Sequence, residues 1–212
     1  MHKQAIVMKQ LFALLICLLA FTTIQAQVGI GWVLSNDLYN HYTNPDDGIS
    51  DPTHGNVILN IGAGPKIWVG GKKVSLSIEG QANIGLTGFS LGENKGVGSL
   101  AIPILVNLNF LGTSTLDREG KTGFSIGAGN QFVRTELYGL RDEFVTQGVT
   151  RDYFQLFVVQ AGYGFGVSGV IFQGFVRYGW DPNSEAQSWN IGLQYDFNYL
   201  MMRKIDDPNS AL

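Results

Sequence analysis

Cysteine is almost missing from this chain: the single one, Cys17, lies in an N-terminal apolar stretch that reads as a removable leader, and the rest has none. Disulfide scaffolds, thiol catalysis and zinc–thiolate centres are thereby excluded from the mature chain. Charge is also scarce, at 15% of residues against the ~25% of ordinary soluble domains, which argues against a soluble helical or α/β enzyme. Beyond the N-terminus no apolar run approaches the ~20 residues a spanning helix needs, so a helical membrane bundle is excluded too. Basic clusters that would grip a phosphate backbone are absent, and nucleic acid is not an expected partner. What is abundant is glycine, 28 of 212 residues, with 12% aromatics.

Lys3 and Lys9 precede the apolar segment from Leu11 to Phe21, which ends at Thr22-Thr23-Ile24-Gln25-Ala26. A basic start, a short apolar centre and a small residue before the cut describe a secretory signal peptide, with cleavage after Ala26. The expected organisation is a signal peptide over 1–26, one folded body over 27–199 and a short tail over 200–212. The mature chain then holds 12 Lys and Arg against 17 Asp and Glu, a net charge of minus 5.

The mature chain repeats with a period of two. From Val74 to Leu86 the even positions Val74, Leu76, Ile78, Ala82, Ile84 and Leu86 are apolar, and the odd positions Ser75, Ser77, Glu79, Gln81 and Asn83 are polar. A helix cannot use such alternation; a strand with two different faces requires it. The pattern returns at Leu100–Phe110 and Trp189–Tyr199. Noisier versions run over Val28–Ser35, Val57–Val69, Phe124–Arg134, Tyr153–Gly164 and Ile171–Trp180. Eight strands follow. The apolar faces of the three clean strands carry no charge over ten or more residues, matching the length a tilted strand needs to cross a bilayer. Aromatics gather at the strand ends, Phe110, Phe124, Phe165, Phe172 and Tyr199 on one side and Phe132, Tyr153, Trp180 and Trp189 on the other, as two interfacial girdles would. Alternate connections are long (36–54, 87–97, 135–152 and 181–187), while Gly70-Gly71-Lys72 reads as a tight hairpin on the opposite side. The expected fold is an all-β, eight-stranded, antiparallel up-and-down transmembrane β-barrel with its apolar face toward lipid.

On these strands, and on a final strand rich in aromatics through Phe197 and Tyr199, the chain resembles the small eight-stranded outer-membrane barrels of the OmpX type. More narrowly it resembles the porin-like barrels common in Bacteroidota. The resemblance implies a Gram-negative outer-membrane location and contact with membrane lipid and lipopolysaccharide.

Three charges fall on the face assigned to the interior: Glu79, Arg177 and Asp196. Glu79 and Arg177 lie at similar depths on opposite strands, so they are expected to pair, with Asp196 as the competing partner. In the first outer connection, Asp46, Asp47 and Asp51 form a weak cation-loop candidate. Gly48 falls a position early for a calcium loop and no acidic residue closes it, so an Asp/Gly/Pro turn is the default. No resident metal or cofactor is expected. A lipid-modifying enzyme would have to draw on His41, His54 and Ser50 of the same connection, around which no catalytic motif stands. The readings are a non-enzymatic barrel with acidic outer loops and a structural or interaction role, an accessory subunit of an envelope secretion or assembly machine in contact with other envelope proteins, and last the enzyme.

Overall fold

The computed structural model describes residues 27–46, 54–85, 87–88, 97–114, 121–140, 142–149, 151–167 and 169–199. The expected signal peptide, the tail beyond Tyr199, and Asp47, Ser50 and Asp51 lie outside the described residues. The first wall is β1 (Gln27–Thr43). The second is β2 (His54–Ile58) continued by β3 (Asn60–Gly70), and the third is β4 (Val74–Gly80), β5 (Ala82–Gly85) and β6 (Thr87–Gly88). Single strands form the other five: β7 (Val97–Leu111), β8 (Thr122–Tyr138), β9 (Phe154–Val167), β10 (Val170–Trp180) and β11 (Gln187–Asn198). Every wall pairs antiparallel with its chain neighbour, and β11 returns to β1 in register from Gly31↔Asn198 to Thr43↔Gln187. The sheet closes into an eight-walled barrel with no free edge along its length.

Interruptions in the walls have local causes. β4 and β5 part at Gln81, opposite Pro103 of β7, which has no N–H to offer the ladder. One bond survives there, from the Gln81 amide to the Pro103 carbonyl at 3.0 Å. β2 gives way to β3 at Leu59, whose φ is 59°. A bulge between Asp37 and Tyr39 shifts the parity of β1, so that Asp37, Asn40 and Tyr42 all turn inward while Tyr39 and His41 turn out.

The two faces are inverted relative to a soluble protein. Outside stand Ile67, Ile78, Ile84, Ile126, Val159 and Ile191, and Ile78 is 54% exposed. Inside, nearly sealed from solvent, stand Ser77, Asn83, Asn107, Gln131, Gln160 and Gln194. Exposing so broad an apolar belt to water would be costly, and burying a polar set is tolerable only where it is hydrogen-bonded. Both features suit a barrel wrapped in hydrocarbon, and the architecture is that of an outer-membrane-type β-barrel.

Aromatic pairs mark both ends of the belt. At one end Phe110 stacks on Phe124 with centroids 4.6 Å apart, and Phe172 meets both Phe165 and Tyr195 at 5.6 Å. At the other, Tyr178 packs against Trp189 at 4.4 Å and Trp180 at 5.7 Å, and Phe157 lies 6.5 Å from Trp180. From Phe172 to Trp180 along β10, at ~3.3 Å per residue and a tilt of ~40°, the girdles stand roughly 20 Å apart, close to the ~25 Å apolar band of such barrels.

The structure moves several boundaries. β1 is 17 residues long, because Asn36–Thr43 continues the strand past the expected end at Ser35. Asp37 and His41 therefore belong to a wall rather than to the first outer connection, and His54 opens β2. The outer connection over 135–152 likewise begins later, since β8 runs to Tyr138, and it holds a short helix, α1 (Asp142–Thr146). The inner connection after Leu111 is partly tied to the wall: the Ser114 hydroxyl donates to the Gly71 carbonyl at 2.5 Å, and the Thr113 hydroxyl lies within hydrogen-bond distance of the Phe110 and Phe124 carbonyls.

Candidate functional site: the barrel interior and outer rim

Lys66 organises the interior charges. It is inward on β3, directly in register with Glu79 of β4. Its ammonium lies 3.4 Å from Glu79 Oε2 and also hydrogen-bonds Asp196 Oδ2. Between Lys66 and Asp196 runs β1, whose inward residue opposite Lys66 is Gly31. With no side chain in the way, the lysine stem crosses β1 to reach Asp196 on β11. An aromatic filler sits just below: Trp68, 1% exposed, lies where a side chain on Gly29 would have to be.

Amide side chains relay this triad across the lumen. Gln81 donates to Glu79 Oε1 at 3.1 Å. Gln194 Nε2 donates to Asp196 Oδ1 at 2.8 Å and to Glu79 Oε2 at 3.2 Å. Gln160 donates to Gln194 Oε1 at 3.4 Å, and Arg177 Nε donates in turn to Gln160 Oε1 at 2.8 Å. Arg177 Nη1 reaches Gln131 at 3.4 Å, and its guanidinium lies 5.0 Å from the Phe175 ring centroid. The expected direct pair between Glu79 and Arg177 is therefore replaced. Lys66 takes Glu79 because a directly cross-strand ammonium is nearer than a guanidinium across the barrel, and Arg177 is linked to the carboxylates through Gln160 and Gln194.

Nearer the outer end, Asp37 is fully buried and accepts from Asn190 Nδ2 at 2.8 Å and Asn60 Nδ2 at 3.4 Å. It attracts Arg177 electrostatically without an ion-pair contact. The interior thus holds Asp37, Glu79 and Asp196 against Lys66 and Arg177. Beside them, on the adjacent walls β7, β8 and β9, Ala101, Leu105, Val133, Leu156 and Val158 form an apolar cluster, with Leu105 in register with Glu79. Toward the outer rim Arg151 Nε pairs with Glu136 Oε2 at 2.5 Å, and the Thr135 hydroxyl donates to Asn44 at 2.5 Å.

Lys66 and Asp37 are the residues the sequence pattern hides. Gly62, Ala63, Gly64 and Pro65 blur the alternation of β3, yet outward Ile61 and Ile67 fix the even positions as interior and so mark Lys66. Asp37 sits beside a bulge that no period of two announces.

His41 and His54 stand together on the outer face of the rim, with ring centroids 6.2 Å apart and planes 7° from parallel. His41 Nδ1 lies 2.9 Å from Asn56 Oδ1, and His54 Nδ1 lies 2.8 Å from the Thr43 hydroxyl. Tyr39 also donates to Asn56, at 2.7 Å. Arg134, outward on β8, donates through Nε to the Arg151 carbonyl at 2.8 Å and lies 5.8 Å from the Tyr153 ring centroid, which places it at the outer rim. Of the cation-loop residues only Asp46 lies within the described residues. No group of three or more metal-ligating His, Cys, Asp or Glu side chains occurs among the described residues.

No protein-family model matches the chain, and no curated protein does. Solved structures do resemble it. Neisserial surface protein A aligns at 10% identity over 82% of this chain and 98% of its own, with a TM-score of 0.44. The N-terminal β-barrel domain of Pseudomonas aeruginosa OprF aligns at 10% identity over 81% of this chain and 100% of its own, with a TM-score of 0.43. Ail, the attachment invasion locus protein of Yersinia pestis, aligns at 13% identity over 80% of this chain and 99% of its own, with a TM-score of 0.40.

Proposed function

We propose that this chain is a non-enzymatic outer-membrane β-barrel of a Gram-negative cell, one that works through its outer surface and not through a conducting lumen. The observation that carries this reading is the filled interior. Side chains from six of the eight walls meet in one hydrogen-bonded network around Lys66, Glu79 and Asp196, with the apolar cluster at Leu105 and Leu156 packed into the lumen beside it. An eight-walled barrel has room only for such side chains. The apolar belt and the two aromatic girdles support the membrane placement. The acidic outer connections, with Asp181 and Glu185 in the last of them, would face the lipopolysaccharide layer.

The test is fractionation of cells expressing the full chain, combined with protease treatment of intact cells. Recovery with the outer membrane and cleavage confined to the outer connections is the expected result. Recovery in the periplasm would overturn it.

A further inference from the structure

At the outer end β10, β11, β1 and β2 finish side by side, Trp180 in register with Gln187, Gln187 with Thr43 and Thr43 with His54. Where the turn over 181–186 meets this rim there is a cleft of about 360 Å³, within the size range of small-ligand sites. One wall is aromatic, formed by Tyr178 and Trp180, with Trp189 and Phe157 extending the same patch. Another is acidic, formed by Asp181 and Glu185, and His54 closes the third side. No lysine or arginine among the described residues lines it.

The carboxylate of Asp181 is fixed and charged. It accepts from the Ser184 hydroxyl at 2.6 Å and from the Asn183 amide at 3.0 Å, and the first of these bonds in particular holds its carboxyl below the ordinary range. The turn is closed by the Asp181 amide donating to the Ala186 carbonyl at 2.9 Å. Glu185 is exposed and has no ion-pair partner among the described residues.

We propose that this cleft binds an alkylated ammonium group, presented by a choline-type lipid headgroup or by a free quaternary amine. The lining chooses the ligand class. With two carboxylates and no basic side chain beyond His54, it disfavours phosphate or carboxylate ligands. A small divalent cation would demand several oxygen ligands around it, which the aromatic wall cannot offer. Poorly hydrated alkylammonium ions instead draw on aromatic faces by cation–π attraction while carboxylates supply the counter-charge. The cleft also opens beside Trp180 and Trp189, the outer aromatic girdle, and so at headgroup level in the membrane.

The test uses the full chain folded in micelles of an uncharged sugar detergent, with tetramethylammonium chloride as probe and sodium chloride as the ionic-strength control. Saturation-transfer NMR on the probe's methyl protons reads binding. Saturable transfer is expected, weakened about tenfold by Trp180→Leu and by Asp181→Asn with Glu185→Gln, and unchanged by Trp32→Phe, far from the cleft. The urea midpoint of each variant reports folding independently. Transfer that is non-saturable, or that is equal in folded Trp180→Leu, overturns the proposal. So does calcium displacing the probe at far lower concentration than tetraethylammonium does. Competition by phosphatidylcholine vesicles, and not by phosphatidylglycerol vesicles, assigns the lipid headgroup; competition by free choline alone assigns the soluble amine. Because the free probe binds without a bilayer, failure here is distinguishable from failure of the outer-membrane assignment.

Discussion

Lys66 is the residue on which the interior depends most. Replacing it with methionine leaves Glu79 and Asp196 facing each other without a cation, and removing one partner of a buried charge set typically costs about 3 to 5 kcal/mol. Lys66→Met is therefore expected to lower the urea unfolding midpoint sharply. Adding Glu79→Gln and Asp196→Asn should restore much of it, because the remaining amides can pair with Gln81 and Gln194. The coupling energy measured between positions 66 and 79 should exceed that between 79 and 177, since the first pair touches and the second communicates through two glutamines. Equal couplings would mean that Arg177 approaches Glu79 directly. Asp181 gives a second, local prediction. Its carboxyl is held below the usual ~3.9, so the turn it braces draws stability from it above that value and loses it as pH falls through the lowered one. Amide exchange over residues 181–186 should accelerate below about pH 4 relative to the adjoining strands, and Asp181→Asn should flatten that step. At this scale the sequence was legible for Glu79 and Asp196, whose parity is unambiguous. It was not legible for their partner, because glycine and proline around Lys66 carry no polarity signal.

At the level of the strand, alternation does most of the specifying, because a one-residue slip would turn an entire face inside out. The stretch from Val74 to Ile84 shows this at its clearest, with every even side chain but Gly80 outside and Ser75, Ser77, Glu79, Gln81 and Asn83 buried. The cost of a charge on the outer face depends on depth: about 2 to 4 kcal/mol for arginine at the bilayer midplane, falling to about 0 to 1 near the interface. Ile78, in the middle of this wall, and Val74, at its inner end, provide the comparison. Ile78→Arg should depress folding into vesicles much more than Val74→Arg, as read by the yield of the folded form and its urea midpoint. Comparable effects at both positions would remove the case for a lipid-facing wall. Where the pattern failed to locate strand ends, physical reasons are visible. The bulge at Asp37 hid the end of β1, residues 36–43, and with it the place of His41 on the rim. Pro103 divides the third wall in a way that side-chain polarity cannot show, since it acts through a missing N–H.

For the molecule as a whole, closure and filling are two sides of one constraint. Eight walls joined through β1 and β11 leave no edge in the hydrocarbon, where an unpaired backbone group would cost several kcal/mol. The same small circumference brings opposite walls so close that Arg177 on β10 connects through Gln160 and Gln194 to Glu79 on β4. The apolar cluster of Ala101, Leu105, Val133, Leu156 and Val158 fills the side of the lumen along β7, β8 and β9, with Leu105 in register with Glu79 of that network. Removing polar groups from the network should not open a pore, because the apolar cluster still occupies its side of the lumen. Thinning the cluster alone should not either, because the charged relay still fills the other side. The full chain in planar bilayers is accordingly expected to show no large, stable unitary current, and neither is Leu105→Ala nor Gln194→Ala alone. Only combined truncation of both groups, Leu105 and Leu156 with Gln160 and Gln194, should produce measurable conductance. A wild-type channel of porin size would mean that the side chains filling the lumen move aside together, and the surface role proposed for this barrel would then give way to transport.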